Sequence, residues 1–188
     1  MTVEVVSESL LAKIPLFRNL NPTERRQLAE IIRVQQSPPG AMIIRQGEKS
    51  RHLWVVVEGK CEVVKHVEPR GETDGKKEGT EPVVLAVLEP YSQFGEMSFF
   101  HPAPHSADVR AATDVKLFCI SYGDYKDLID EGVWAAYKLA HNAVDSLAQR
   151  LRRMDDWIAE LLAHKPANED QSREWNAFRE KLFNRWNL

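Results

Sequence analysis

The stretch that decides the fold is FGEMSFFHPAPHSADVRA, residues 94–111. Gly95 has no Cβ atom, so the backbone there can adopt a positive φ or approach a ligand closely. Residues 97–100, MSFF, predict a short helical turn whose first N–H groups and positive dipole end face an anion. The stretch therefore begins like a loop that holds a phosphate, but it has His105 where such a loop should present a positive charge.

Short apolar runs and turn signals alternate on both sides of this stretch. Residues 38–67 are rich in β-branched residues and are interrupted by three glycines, and strand-like runs resume at 83–88 and 108–121. Strands of this length and spacing are typical of an all-β barrel or sandwich. The polar stretch 68–82 contains three glycines and both signs of charge, so we expect a solvent-exposed hairpin loop there.

Helix signals flank the β region. On the amino-terminal side, Asn21 is a predicted N-cap, Pro22 occupies the first helical position and Glu24 completes a capping box. The apolar face of this helix consists of Leu28, Ile31 and Ile32. On the carboxyl-terminal side, Ser121 and Asp124 form a second cap pair, which predicts another helix.

A long helix is predicted from about residue 132 to residue 164, because this segment contains neither proline nor an internal glycine. Its apolar residues are spaced alternately by three and four positions, a heptad pattern typical of a coiled coil. We predict that this stripe forms a homodimer seam. Packing of the stripe on this chain's own barrel is the alternative, and the two could hold on different faces. The seam residues are Val144, Leu147, Leu151, Met154, Ile158 and Leu161.

A last amphipathic helix is predicted within residues 165–188, where large apolar side chains recur on one side. It packs on this chain's own barrel or long helix in the simpler interpretation, and it docks on an unknown protein partner in the other. Its apolar residues are Trp175, Phe178, Leu182, Phe183 and Trp186. The predicted organisation is therefore N-terminal helices (1–36), a β-barrel (37–121), a hinge helix with a long C-helix (122–164) and the terminal helix (165–188).

Composition limits the classes of function. The 188 residues carry a net charge of −3 with the histidines neutral, which argues against a protein whose main task is to grip nucleic acid. Cys61 and Cys119 each lie in an apolar run, so we predict buried free thiols and neither a disulfide nor a metal site. The amino terminus does not resemble a signal peptide, and apolar runs such as 83–88 are far shorter than a membrane helix, so we predict a cytoplasmic protein.

Five segments occur in an order that carries a resemblance. They are LLAKIPLFRNLNPTERRQL, PPGAMIIRQGE, LWVVVEGKCEV, FGEMSFF and PHSADVRAATDVKLFCIS. Together, over roughly residues 10–163, they resemble the cyclic-nucleotide-binding domain family, which includes bacterial catabolite activator proteins and the regulatory subunits of cAMP-dependent kinase. The resemblance implies a mainly β fold, an eight-stranded β-barrel of jelly-roll type with flanking helices.

The resemblance also implies roles for residues 95–108, which we call the cassette. Glu96 would accept a hydrogen bond from the ribose 2′-hydroxyl of cAMP or cGMP, and an ordinary capping carboxylate is the alternative. In the family an arginine follows the proline of this cassette and holds the phosphate, and here His105 follows Pro104. The predicted ligand-binding residues are Gly95, Glu96, Met97, Ser98, His105, Ser106 and Ala107.

Histidine in place of arginine changes the chemistry of the site. Arginine is always charged and can donate two parallel hydrogen bonds to a phosphate, whereas a neutral histidine donates one. A bound phosphate would raise the pKa of His105. The backbone amides and the Ser106 hydroxyl could still hold the anion. In an extended strand Asp108 would share a face with Ser106, where it could repel the phosphate or keep His105 protonated. A surface aspartate that points away is the alternative.

The base of the nucleotide has fewer candidates. In the family the long helix often supplies purine contacts or an aromatic lid, and the possible base contacts here are Met154 and Trp157. Positions on the seam or on a solvated face are the alternatives for both. No residue in this sequence decides between cAMP and cGMP.

Several other functions lack support in the sequence. Few residues follow the long helix, so we expect no winged helix-turn-helix and no DNA binding. The chain has no Walker-type loop, HExxH motif or metal-spaced Cys/His set, so we expect no enzyme, metal or cofactor. We predict a stand-alone sensor whose C-helix moves on ligand binding. A protein-interaction module that has lost nucleotide binding is the alternative, and a small jelly-roll enzyme is the weakest interpretation.

Overall fold

The computed structural model describes residues 6–67 and 81–163, so the predicted terminal helix (165–188) lies outside the described residues. The chain divides into two compact units, residues 1–143 and residues 144–188. The helices are α1 (Glu8–Leu11), a 3-10 turn (Pro15–Phe17), α2 (Pro22–Ile31), α3 (Glu96–Phe100), α4 (Tyr122–Asp130) and α5 (Trp134–Ala163). The strands are β1 (Ile32–Ser37), β2 (Met42–Ile44), β3 (His52–Glu58), β4 (Cys61–Val67), β5 (Glu81–Leu88), β6 (Gln93–Phe94), β7 (Asp108–Ala111) and β8 (Val115–Ser121).

The strands form two four-stranded sheets. One has the order β1-β8-β3-β6 and the other the order β2-β7-β4-β5, and every pair of neighbouring strands is antiparallel. The predicted mainly β fold with flanking helices is therefore confirmed. Within residues 6–67 and 81–163 no ladder joins the two sheets, so the closed eight-stranded jelly-roll barrel stays a prediction.

Strand β3 is buried on both faces because it lies between two apolar layers. Leu53, Val55 and Val57 belong to a cluster formed with the helices. Trp54 and Val56 belong to a second cluster, which includes residues of the other sheet. Side chains of a strand point alternately to opposite faces, so the continuous apolar run LWVVV is the pattern that this position requires.

The boundary between amino-terminal helices and strands differs from the prediction. The sequence predicts N-terminal helices within residues 1–36 and places Ile32 on the apolar face of a helix. Instead Ile32 begins β1 and lies opposite Ile120 of β8. The alternation of Ile32 and Val34 lets β1 extend the sheet edge, and this tertiary pairing ends α2 at Ile31.

The loop predicted at residues 68–82 ends before residue 82. Pro82 lies in β5 opposite His66 of β4, and Glu81 lies opposite Val67. The antiparallel ladder between β4 and β5 therefore reaches further toward the loop than the polar composition indicated. Residues 68–80 lie outside the described ranges.

Both predicted helix caps are confirmed. The backbone N–H of Asn21 donates to Glu24 Oε2 at 2.8 Å, and the backbone N–H of Glu24 donates to Asn21 Oδ1 at 2.9 Å. At the start of α4 the backbone N–H of Asp124 donates to Ser121 Oγ at 3.1 Å. These bonds satisfy N–H groups that have no partner within a helix, and so they fix where α2 and α4 begin.

Both cysteines are free and buried, as predicted. Burial raises the pKa of Cys61 to about 11 and that of Cys119 to about 12. Thiols with such pKa values stay protonated near neutral pH, so these side chains act as small apolar parts of the core.

Polar side chains of α5 tie its first turns to the amino-terminal segment. Asn142 is only 3% exposed and donates from Nδ2 to the backbone carbonyls of Leu16 and Arg18, both at 2.9 Å. Lys138 Nζ lies 2.7 Å from Glu24 Oε1, and its hydrogen bond is the main reason why the pKa of Glu24 lies below the ordinary value. We call these five residues the latch.

The buried face of α5 within the first unit is not the predicted stripe. Ala135, Leu139 and Ala143 are fully buried in the cluster that the helices share, whereas Tyr137, seven positions before Val144 and therefore on the same stripe, is 44% exposed. Small alanines allow the helix backbone to pack closely on its neighbours. The first turns of α5 therefore use mainly a separate face for intramolecular packing, to which Ala140 adds a half-buried contact, while Tyr137 and Val144 stay exposed.

In the second unit, residues of the predicted seam are exposed on α5. Val144 is 60% exposed, Leu151 52% and Met154 56%, whereas Leu147 and Ile158 are partly exposed and Leu161 lies in the last described turn.

None of the helices within residues 6–67 and 81–163 is long and apolar enough to cross a membrane.

Candidate functional site

Gly95 sets the geometry at the amino end of the cassette. It has φ +81° and is the N-cap residue of α3. A Cβ atom there would lie 2.6 Å from the backbone oxygen of His52 and 3.2 Å from Trp54 Cδ1. The position therefore requires glycine for its positive φ and also for its close approach to β3.

The short helix α3 spans Glu96–Phe100, one residue earlier than predicted. Its hydrogen bonds begin with the Phe99 N–H, which donates to the Gly95 carbonyl at 3.0 Å. Helix geometry thus leaves the N–H groups of Met97 and Ser98 outside the intrahelical bonds. The side chains of Glu96 and Ser98 are 2% and 3% exposed, whereas Met97 is 62% exposed, so the acidic side chain points inward and the thioether faces solvent.

His105, the residue that the sequence resemblance assigns to the arginine position of the family, is buried. Its side chain is 7% exposed, and its Nε2 atom lies 2.7 Å from Ser50 Oγ. Burial lowers the pKa of His105 below its ordinary value; the Glu48 carboxylate opposes this shift and His52 adds to it. The imidazole is therefore neutral near pH 7 and is held by a hydroxyl group.

The backbone on both sides of His105 is also fixed. The Gly47 N–H donates to the His105 carbonyl at 2.9 Å, and the His105 N–H donates to the Glu48 carbonyl at 3.0 Å. These reciprocal bonds join the cassette to the segment between β2 and β3. The position of His105 consequently depends on residues that precede it by more than fifty positions.

Asp108 differs from both interpretations made from the sequence. It is 8% exposed, its Oδ1 accepts from the Gln46 backbone N–H at 2.6 Å, and its Oδ2 lies 3.0 Å from His66 Nε2. Burial raises the pKa of Asp108, but the hydrogen bonds from Gln46 and His66 outweigh this effect and leave its pKa below the ordinary value.

The expected shared face of Asp108 and Ser106 is therefore wrong. Strand β7 begins only at Asp108, so the alternation of a strand does not apply to Ser106, which is exposed. The neighbouring Ala107 is 9% exposed. The carboxylate pairs with His66, and it is not among the groups that shift the pKa of His105.

One short segment, residues 50–54, contacts the cassette at both Gly95 and His105. Gly95 approaches His52 and Trp54, and His105 bonds to Ser50. Ser50 could not be selected from the sequence, because a single serine before a strand carries no recognisable signal. Gly95 and His105 thus share contacts with one segment, which precedes both of them in the chain.

Arg51, which lies between Ser50 and His52, also carries no recognisable signal in the sequence. Its Nε and Nη2 atoms donate to the Phe99 carbonyl at 3.1 and 2.8 Å, and its guanidinium carbon lies 3.1 Å from the centroid of the Tyr122 ring. The proposed base contacts Met154 and Trp157 belong to the second unit, where they are 56% and 70% exposed.

Comparison with known proteins matches residues 34–131 to the cyclic nucleotide-binding domain. A CRP-like cAMP-activated global transcriptional regulator of Mycobacterium tuberculosis is 23% identical over 155 residues, which cover 82% of this chain and 63% of that protein. This chain thus matches less than two thirds of the length of that regulator.

Two solved structures have the same fold. The catabolite activator protein of Thermus thermophilus aligns with a TM-score of 0.65 at 30% identity, over 78% of this chain and 62% of that chain. A cyclic nucleotide-binding domain from Methylobacillus flagellatus aligns with a TM-score of 0.69 at 19% identity, over 85% and 84% of the two chains. The matched family region contains the whole cassette and more than half of the chain, and the chain therefore belongs to the cyclic nucleotide-binding domain family.

Proposed function

We propose that this chain is a regulatory sensor domain whose cassette takes the phosphate of a cyclic nucleotide, cAMP or cGMP. Membership of the family supports this proposal, and the tuberculosis regulator is named as cAMP-activated. The jelly-roll barrel of the family would place the cassette at the mouth between the sheets. The proposed activity is binding and not catalysis, with no cofactor other than the ligand.

The observation that carries the proposal is the arrangement at the amino end of the cassette. Gly95 holds φ +81° and precedes α3, whose first N–H groups lie outside the intrahelical bonds and can donate to an anion. Glu96 is held inward at 2% exposure, where its carboxylate can accept a hydrogen bond from a ribose hydroxyl. A sugar phosphate offers both complementary groups, a hydroxyl donor and an anion, in one small molecule.

His105 predicts a weaker phosphate contact than the family's arginine. Loss of a hydrogen bond to a charged group costs about 1.5–3 kcal/mol, or roughly a ten- to hundredfold loss of affinity. A bound phosphate would favour the protonated imidazole and would raise the pKa that burial has lowered. We therefore propose that binding takes up a proton at His105 and strengthens as the pH falls.

Signalling is proposed to run through α5 and a homodimer seam. Val144, Leu151 and Met154 are each more than half exposed, and a surface stripe of this length is unusual for a helix that remains alone in water. Ligand binding would have to favour one arrangement of the paired helices energetically.

The alternative is a protein-interaction module that no longer binds nucleotide. One observation favours it: His105 is buried and already bonded to Ser50 at 2.7 Å, so a phosphate must compete with an existing contact. Met97, a residue of the cassette that is 62% exposed, would then belong to a surface for an unknown protein partner.

Calorimetry separates the two functions. Wild-type protein is titrated with cAMP and with cGMP at about pH 6 and about pH 8, on either side of the ordinary histidine pKa. The sensor proposal expects heat of binding with tighter affinity at the lower pH. Absence of heat with both nucleotides at millimolar concentration, at either pH, would leave the interaction module.

The seam has its own test. Leu151→Asp introduces a charge into the stripe and should convert a dimer into a monomer in sedimentation velocity. Arg152→Asp changes the neighbouring exposed position and serves as the matched control. A wild-type monomer at micromolar concentration, or a dimer that survives Leu151→Asp, would contradict the seam.

A further inference from the structure

We propose that Arg51 is a positioning residue that couples the cassette helix α3 to helix α4. The inference concerns a contact in the folded chain, and its meaning for signalling rests on the proposed sensor function. Arg51 lies immediately before β3, next to Ser50, which holds His105. Of these two adjacent residues, Ser50 therefore bonds to His105 and Arg51 bonds to the end of α3.

The first contact of Arg51 is with the end of α3. Two guanidinium nitrogens, Nε and Nη2, donate to the single carbonyl oxygen of Phe99 at 3.1 and 2.8 Å. The last carbonyls of a helix have no partner within it, and a cation placed there is favoured by the helix dipole. Arg51 thus restrains the carboxyl end of the helix that Gly95 begins.

The second contact is with the start of α4. The guanidinium carbon lies 3.1 Å from the Tyr122 ring centroid, a geometry in which a planar cation stacks on an aromatic face. The Tyr122 backbone N–H also donates to the Arg51 carbonyl at 2.9 Å. Both the side chain and the backbone of Arg51 therefore contact the first residue of α4.

The rings around Arg51 extend this contact between the helices. The Phe99 ring centroid lies 5.6 Å from that of Tyr122 and 5.1 Å from that of Tyr125, so α3 packs directly on α4. A displacement of the Phe99 carbonyl would change the two hydrogen bonds and the stacking at once. Because one planar group makes both contacts, the positions of α3 and α4 cannot change independently without loss of one of them.

Amide hydrogen exchange of the full ligand-free chain, measured by NMR, tests the coupling. In Arg51→Ala we expect the amides of α3 and α4 both to exchange faster, by about tenfold or more, as for one lost hydrogen bond to a charged group. Arg51→Lys, which keeps the charge but not the planar fork, should restore only part of the protection. The control is Arg33→Ala, which removes an exposed ion pair with Asp124 of α4 and should leave α3 unchanged.

A second pair of variants keeps the test decisive if Arg51→Ala does not fold. Tyr122→Phe retains the ring face and should behave like the wild type, whereas Tyr122→Leu removes it and should speed exchange in α3 as well as in α4. Faster exchange confined to one helix would overturn the proposal, because Arg51 would then act as a local cap. Equal acceleration in β8 in Arg51→Ala and Tyr122→Leu would also overturn it, because the effect would be a global loss of stability.

Addition of cAMP distinguishes failure of the coupling from failure of the sensor function. If the wild type binds, protection should increase in α3 and α4, and in Arg51→Ala it should increase in α3 alone. Protection of α4 that survives in Arg51→Ala would overturn the coupling. If cAMP changes nothing in the wild type, the proposed ligand is wrong, and the ligand-free exchange still decides whether Arg51 links the two helices.

Discussion

The two ends of the cassette differ in what holds them. The amino end depends on backbone conformation: Gly95 has φ +81° and lies against β3 where no Cβ atom fits. The carboxyl end depends on side chains in addition to backbone bonds, since His105 bonds to Ser50 and Asp108 bonds to His66 beside the reciprocal backbone bonds of His105 with Gly47 and Glu48. Under the proposed assignment of His105 to the phosphate, the backbone geometry is retained while the permanent charge is lost, and we expect the fold of the cassette and its affinity for an anion to be separable properties.

The largest expected effect comes from a substitution at the amino end of the cassette. Gly95→Ala should lower the free energy of unfolding by about 3 kcal/mol or more, because a strained φ adds to a clash with the His52 carbonyl. Gly132→Ala is the matched control, since Gly132 has φ +72° but no atom within 4 Å of its Cβ position; it should lose only about 1–2 kcal/mol. Urea denaturation of both variants measures the difference. Equal losses would mean that the close approach at Gly95 contributes nothing.

The next effect sharpens the comparison at the carboxyl end. His105→Arg should tighten binding of cAMP or cGMP by about tenfold or more, because it restores a permanent charge and a bidentate donor. His101→Arg adds the same charge at an exposed position of the cassette just after α3 and should change affinity little. Calorimetry with both variants measures this. Weaker binding by His105→Arg would count against the assignment of position 105 to the phosphate.

The smallest effect is a pH dependence of stability. Burial lowers the pKa of His105 in the folded chain, so the unfolded chain binds a proton first as the pH falls below about 6.5. Stability should therefore fall with pH in the window between the unfolded and folded pKa values and level off below it. One proton limits the slope to about 1.4 kcal/mol per pH unit.

His105→Gln isolates this dependence, because glutamine is neutral at every pH in the window. Urea denaturation between about pH 5 and pH 7.5 should give a smaller slope for the variant than for the wild type. The stabilisation due to Asp108 does not interfere, since its pKa is lowered and its contribution is lost only as the pH falls below about 3.9. An unchanged slope would show that another group is responsible.

Local signals in the sequence predicted the features that local physics determines. The Asn21–Glu24 capping box, the Ser121 cap, the positive φ at Gly95 and the short helix after it need only neighbouring residues. The partners of the carboxyl end could not be predicted in the same way. Ser50 precedes His105 by 55 positions and His66 precedes Asp108 by 42, so only the tertiary fold brings them into contact.

The start of β1 illustrates the same limit. Residues 28–32 have an apolar spacing that suits a helix, and the sequence alone assigns Ile32 to it. In the structure the register with Ile120 of β8 takes Ile32 into the sheet. Pairing with a strand far along the chain outweighs a local preference, and such pairing leaves no mark in the preceding residues.

The latch has a practical consequence for producing shorter fragments. A fragment cut to the family boundaries, residues 34–131, would lose Asn142 and Lys138 together with their partners at 16–24. It would also expose the β3 and β8 side chains that now face Leu28, Leu139 and other buried residues of the helices. The smallest piece that folds independently should therefore extend outward on both sides, from the amino-terminal helices to the first turns of α5.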